Sequence, residues 1–156
     1  MKRKRVEIIT KNSEETISLG EKLASCLKKG DIILLKGELG AGKSTLIKGI
    51  AKGLEVNEEV KSPSFIIVNE LIGKNYILYH VDLYRIDGVE IFNLGLEEFL
   101  KNGIVSIEWA DKIEENLRNI DLDFINIQIN ILSENERKIV LEFKGKELIE
   151  RCSNLQ

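Results

Sequence analysis

The segment Gly37-Glu38-Leu39-Gly40-Ala41-Gly42-Lys43-Ser44 constrains the fold more than any other part of the chain. Before it stands a continuous apolar run, Ile32-Ile33-Leu34-Leu35, which fits a strand buried on both faces. After it, Leu46, Ile47, Ile50, Ala51 and Leu54 recur at helical spacing, which predicts a helix from Lys43 to about Leu54. Strand, glycine-rich turn and helix in this order match G-x-x-x-x-G-K-[ST], the phosphate-binding P-loop. Glycines let the backbone curl until several N–H groups face one phosphate, and the helix presents its positive end to the same anion. The nucleotide ligands expected here are Glu38, Leu39, Gly40, Ala41, Gly42, Lys43, Ser44 and Thr45. Lys43 should reach the β- and γ-phosphates, and the Ser44 hydroxyl should ligate Mg²⁺. The motif by itself does not choose between ATPase, GTPase and kinase.

Absences narrow the choice. The sequence has no N-K-x-D segment to read guanine, and its six arginines form no cluster like a nucleotide-kinase lid. Adenine is therefore the expected base. A P-loop site also needs a carboxylate at the end of a neighbouring strand to hold Mg²⁺ and position water. Asp82 ends the run Tyr76-Ile77-Leu78-Tyr79-His80-Val81, and Glu108 ends Ile104-Val105-Ser106-Ile107. Either acid could touch the metal while the other orients water. Ser62-Pro63-Ser64-Phe65 falls where such enzymes carry a γ-phosphate sensor, and Arg85 could neutralise phosphate charge. Trp109, the only tryptophan, directly follows Glu108 and could stack near the nucleotide.

The remaining patterning is α/β. Ile66-Ile67-Val68, Ile77-Leu78-Tyr79 and Ile104-Val105-Ser106-Ile107 read as further buried strands. Phe124 to Ile131 and Lys138 to Phe143 alternate and flank the polar turn Ser133-Glu134-Asn135-Glu136, which predicts a hairpin. Asn12 or Ser13 caps a first helix carrying Leu19, Leu23, Cys26 and Leu27, with Asn12 and Glu15 at capping-box spacing and Gly30 as its stop. Further helices are expected over Val89 to Lys101 and Asp111 to Leu117. The expected architecture is one P-loop domain over residues 1–156. Its sheet should be mostly parallel, flanked by helices, with an antiparallel C-terminal edge.

The chain of 156 residues has no apolar run long enough to cross a membrane and no apolar stretch behind its basic start, so a cytoplasmic location is expected. Cys26 and Cys152 stand far apart and are expected as two reduced thiols. A single histidine, His80, excludes a multi-histidine metal site. Lys2 to Arg5 carry four positive charges, and residues 1–5 are expected as a mobile basic tail. Elsewhere 19 basic residues face 26 acidic ones, a body near −7, which argues against a strongly basic tRNA- or DNA-binding face.

Several segments together resemble the TsaE family, also called YjeE, over most of the chain. They are Glu15-Thr16 with Leu19-Gly20, Gly37 to Thr45, Lys61-Ser62-Pro63-Ser64-Phe65, His80-Val81-Asp82-Leu83-Tyr84-Arg85, Leu94-Gly95-Leu96-Glu97-Glu98 and Ile107-Glu108-Trp109. The resemblance implies a small bacterial ATPase needed for N6-threonylcarbamoyladenosine (t6A) in tRNA, working with TsaB and TsaD, of which TsaD carries the transfer. It implies phosphate binding by Lys43, Mg²⁺ at Ser44, metal-site carboxylates at Glu108 and Asp82, and Trp109 near the nucleotide. Ser13 and the Arg137 region align with segments that close over adenine. Ser44 and Ser64 stand where threonine is common, and each keeps its hydroxyl; Ala110 replaces a frequent proline. The expected function is Mg²⁺-dependent ATP hydrolysis serving tRNA modification, with tRNA contacted mainly through the partners and no part for DNA or membrane. A P-loop small-molecule or nucleoside kinase, with Asp82 as base, and a nucleotide sensor without turnover are the alternatives.

Overall fold

The computed structural model describes residues 3–38, 40–57, 68–83, 95–110, 113–119, 122–152 and 155. Among the described residues, strand β2 (Ile32–Gly37) lies in the middle of a seven-stranded sheet, and its run of apolar residues is the reason. Alternation sends Ile33 and Leu35 to one face and Ile32 and Leu34 to the other, and all four are fully buried. On the first face lie α1 (Ser13–Ala24) and α2 (Lys43–Gly53), through Leu19, Leu23, Leu46, Ile47 and Ile50. On the second lie α3 (Leu96–Asn102) and α4 (Glu114–Asn119), through Leu96 and Leu117. The result is a helix–sheet–helix sandwich with two cores.

The other strands are β1 (Arg3–Thr10), β3 (Val68–Ile72), β4 (Ile77–Asp82), β5 (Gly103–Glu108), β6 (Phe124–Ile131) and β7 (Arg137–Lys144). Their order is β1-β7-β6-β2-β5-β4-β3. The adjacent strands β6, β2, β5 and β4 are mutually parallel. The C-terminal hairpin β6–β7 continues the sheet antiparallel, as expected, and β1 closes that side against β7. A second antiparallel strand, β3, lies on the far edge beside β4. Helix α5 (Lys146–Cys152) follows β7.

Helix α1 starts as the sequence predicts. The Glu15 N–H donates to Asn12 Oδ1 at 2.9 Å, and Glu15 Oε1 accepts from the Lys11 N–H at 2.7 Å. It stops at Ala24 rather than running to Gly30, since Ser25 turns its hydroxyl back onto the Lys22 carbonyl at 2.6 Å. Gly20 lets α1 press against α2: a Cβ there would sit 2.6 Å from the Leu46 carbonyl oxygen. The helix expected over Val89 to Lys101 is described only from Gly95 onward and ends at Asn102.

Two further expectations fail. Arg3, Lys4 and Arg5 are not a tail; they begin β1, paired residue for residue with Lys144, Phe143 and Glu142 of β7. Val6 and Thr10 are buried on the same strand, so the basic residues are drawn into register by the buried positions that follow them. Cys26 and Cys152 are not separate thiols but a disulfide, with Cα atoms 5.2 Å apart across 126 residues of chain. Their meeting follows from packing. The Arg151 guanidinium grips Asp31 through two contacts of 2.8 Å and donates to the Cys26 carbonyl at 2.7 Å, bringing α5 onto the turn after α1. That carboxylate also raises the Arg151 pKa, chiefly through the hydrogen bond. The pairing removes the thiol argument for a reducing compartment. Among the described residues no helix is long and apolar enough to cross a membrane.

Candidate functional site

The loop between β2 and α2 holds its shape through three glycines with positive φ: Gly37 at 153°, Gly40 at 83° and Gly42 at 110°. At Gly37 a Cβ would lie 2.8 Å from the Ile129 carbonyl oxygen, so the strand end is also too crowded for a side chain. At Gly40 and Gly42 an added Cβ would meet nothing within 4 Å, so backbone conformation alone asks for glycine there. The Ala41 N–H donates to the Glu38 carbonyl at 3.0 Å, and Gly42 opens α2 by accepting from the Leu46 N–H at 3.0 Å.

Lys43, the first residue of α2, is only 6% exposed. Its ammonium donates to the Gly37 carbonyl at 2.9 Å and rests 4.0 Å from the centre of the Trp109 ring. Trp109 is held there with φ at 60°, a left-handed conformation that costs a non-glycine residue about 1–2 kcal/mol.

A cavity of about 240 Å³ opens over this loop, lined by Gly40, Gly42, Lys43, Ser44, Thr45, Asp82, Glu108 and Trp109. Asp82 and Glu108 reach it because β4 and β5 are parallel neighbours in which these two terminal residues are register partners. A second cavity of about 280 Å³ adjoins the first, sharing Gly42 and Thr45; it includes Asn12, Ser13, Ala41 and Arg137. Arg137 there is a clasp between the hairpin and the loop: its Nε donates to the Ala41 carbonyl at 2.8 Å, and its Nη1 to the Ser133 and Glu136 carbonyls at 2.9 Å.

The sequence-predicted site residues thus fall into two adjoining groups. Gly40, Gly42, Lys43, Ser44, Thr45, Asp82, Glu108 and Trp109 line the first cavity, and Ser13, Ala41 and Arg137 line the second. Glu38 is exposed and lines neither. Leu39, the Ser62 to Phe65 segment and Arg85 lie outside the described residues.

Sequence reasoning passed over two residues. His80 and Ser106 are register partners on β4 and β5, buried to 2% and 0% exposure. His80 Nδ1 lies 2.8 Å from Ser106 Oγ, and His80 Nε2 lies 3.0 Å from Glu108 Oε2. The signal was present: polar residues two apart, His80 with Asp82 and Ser106 with Glu108, in otherwise apolar strands. In a strand that spacing puts both members of each pair on one face, and here it is the face that carries α2.

The family model described as threonylcarbamoyl adenosine biosynthesis protein TsaE matches residues 10–139. The chain belongs to the TsaE family. Among TsaE proteins of known sequence, that of Bacillus subtilis strain 168 is 37% identical over 147 residues, 94% of this chain and 90% of its own. That of Aquifex aeolicus strain VF5 is 38% identical, over 85% of this chain and 92% of its own. Both carry the name tRNA threonylcarbamoyladenosine biosynthesis protein TsaE. The crystal structure of YdiB from Bacillus subtilis superposes with a TM-score of 0.82 at 34% identity, covering 99% of this chain and 96% of that one. The α/β P-loop fold expected from the sequence is therefore the fold of a TsaE protein.

Proposed function

We propose that this TsaE-family chain is a Mg²⁺-dependent ATPase that serves t6A formation on tRNA in the cytoplasm together with TsaB and TsaD. The observation that carries the reading is the cavity in which Lys43 and Ser44 meet two carboxylates from neighbouring parallel strands. The donor set fits the metal. Hydroxyl and carboxylate oxygens are hard ligands, and Mg²⁺ takes one or two carboxylates and fills its shell with water and substrate phosphate. The loop fits the anion, with glycine backbone where phosphates approach and the N-terminal end of α2 behind it. Bound Mg²⁺ supplies neutralisation of the charge that develops on the phosphates.

The protein's own groups do the rest. Lys43 moves its ammonium from the Gly37 carbonyl to the β- and γ-phosphates. Ser44, Asp82 and Glu108 hold the metal, and one of the two carboxylates also orients the attacking water. The second cavity, with Ser13 and Arg137 in its lining, takes the adenosine end, since it continues the first through Gly42 and Thr45. Transfer of the threonylcarbamoyl group belongs to TsaD, and tRNA is held mainly by the partners.

Phosphate release, measured for the chain alone and with TsaB and TsaD, tests this. Release that requires the partners or rises with them supports the reading. A phosphorylated small molecule would make the chain a kinase, and nucleotide binding without turnover even with partners would make it a sensor. Either result overturns the ATPase assignment.

A further inference from the structure

We propose that His80 is a positioning residue for Glu108, the middle of a directed chain that runs from the Ser106 hydroxyl through the imidazole to the carboxylate. The proposal rests on the assignment of Glu108 to a Mg²⁺–nucleotide site. The direction follows from the partners. An ionised carboxylate only accepts, so His80 Nε2, at 3.0 Å from Glu108 Oε2, must carry a proton and donate it. A neutral imidazole that donates at Nε2 accepts at Nδ1, and the Ser106 hydroxyl, 2.8 Å away, rotates to donate there.

Ser106 and His80 are shut away from solvent, with exposures of 0% and 2%, while Glu108, 7% exposed, reaches the cavity from the same face. Water therefore does not compete for these bonds, and their geometry is fixed by the strands. His80 and Ser106 face each other across the β4–β5 ladder, and Glu108 stands two residues beyond Ser106 on the same face. Glu108 is thereby tied at Oε2, which leaves Oε1 for the cavity that Glu108 lines. A ligating carboxylate whose second oxygen is bonded keeps one orientation; removing such a partner typically costs about 10–100-fold in metal affinity or activity.

A buried histidine with only a structural role would make a different set of predictions, and the chain allows a clean test because His80 is its sole histidine. Nitrogen-15 spectra of the intact protein should show one imidazole with a proton on Nε2, and Ser106→Ala should weaken the preference for that form. An Nε2 without a proton, or an Nδ1 that carries one, overturns the proposal. Calorimetry of ADP binding with and without Mg²⁺ gives the second readout. His80→Ala should keep its Mg²⁺-free ADP affinity within about twofold, which also reports a folded loop. It should lose about 10–100-fold of the gain that Mg²⁺ confers. His80→Gln, whose amide N–H can reach the place of Nε2–H, should recover most of that gain. Full Mg²⁺ gain in His80→Ala, or His80→Gln failing as badly as alanine, overturns the positioning role. If His80→Ala does not fold, the glutamine variant and the imidazole spectrum decide. A wild-type chain that bound no nucleotide would sink the proposed function instead, and the imidazole proton would still report whether His80 donates to Glu108.

Discussion

Replacing Lys43 with alanine separates what the folded chain needs from what its chemistry needs. Without nucleotide the Lys43 ammonium makes a charged hydrogen bond to the Gly37 carbonyl at 2.9 Å, a contact of the kind worth about 1.5–3 kcal/mol. It also lies 4.0 Å from the centre of the Trp109 ring, an interaction of about 2 kcal/mol where solvent is excluded. Against these stands the cost of burying an ammonium, several kcal/mol per ion. The two sides are of similar size, so Lys43→Ala should leave folding stability nearly unchanged. Hydrolysis has no such offset. A charge placed on the transferring phosphate acts where charge develops, and losing one such group costs about 2.7–4 kcal/mol, or 10²–10³ in rate. The loop N–H groups remain, so part of the ADP affinity should survive. Phosphate release by the complex with TsaB and TsaD measures the first effect, and urea unfolding of the chain measures the second. The variant should also change Trp109 emission before any nucleotide is added, because the cation leaves the ring. Wild-type turnover in a folded Lys43→Ala protein would refute the site assignment.

Asp82→Ala and Glu108→Ala should each lower hydrolysis at least about tenfold, roughly 1.4 kcal/mol in barrier, with far-ultraviolet dichroism unchanged; normal turnover in both removes the acids from the metal site. Binding of ATP or ADP should shift the fluorescence of Trp109, the only tryptophan, since Lys43 rests on its ring; an unchanged signal at a saturation confirmed by calorimetry would take Trp109 out of the site. Gly20→Val should cost stability at the upper end of the roughly 1–3 kcal/mol of an overpacked core, because its Cβ would meet the Leu46 carbonyl oxygen at 2.6 Å; a urea midpoint equal to wild type would show that α1 moves off α2 freely. The isolated chain should bind tRNA weakly at physiological salt, because outside residues 2–5 its body is near −7. Reversing Lys4 and Arg5 to Glu tests this better than deletion of residues 1–5, which would remove three of the eight residues of β1; submicromolar binding by the doubly reversed chain would refute it.

How much of this could be read from the sequence depends on what kind of force shapes each element. The middle of the sheet was legible because burial on both faces leaves a run such as Ile32 to Leu35 no other role. The P-loop was legible because positive φ at Gly40 and Gly42 admits few residues. Asn12 and Glu15 announced the start of α1 because a cap is a local bargain between neighbours. Asp82 and Glu108 stood out as acids at the ends of apolar strands, but that they are register partners is a fact of the sheet rather than of either segment.

Non-local pairing hides best where local composition points the other way. Arg3-Lys4-Arg5 looks like a solvated tail, and those side chains are indeed exposed; what makes the segment a strand is a ladder to β7, some 130 residues later, together with the burial of Val6 and Thr10. The same holds for Cys26 and Cys152, which meet where Leu148 packs into the core and Arg151 anchors α5 to Asp31. His80 is the most instructive omission. Taken alone, one histidine in an apolar strand says little. Taken with Ser106 and Glu108 at alternating positions of another strand, it becomes the middle of a polar line, but only once β4 and β5 are known to be parallel and in register. A polar residue at an inward position of a buried strand must find a partner in the next strand or destabilise the sheet. Two buried strands that each carry such residues at a spacing of two therefore announce each other. In this chain that announcement leads from His80 straight to an acid that lines the cavity over the loop between β2 and α2.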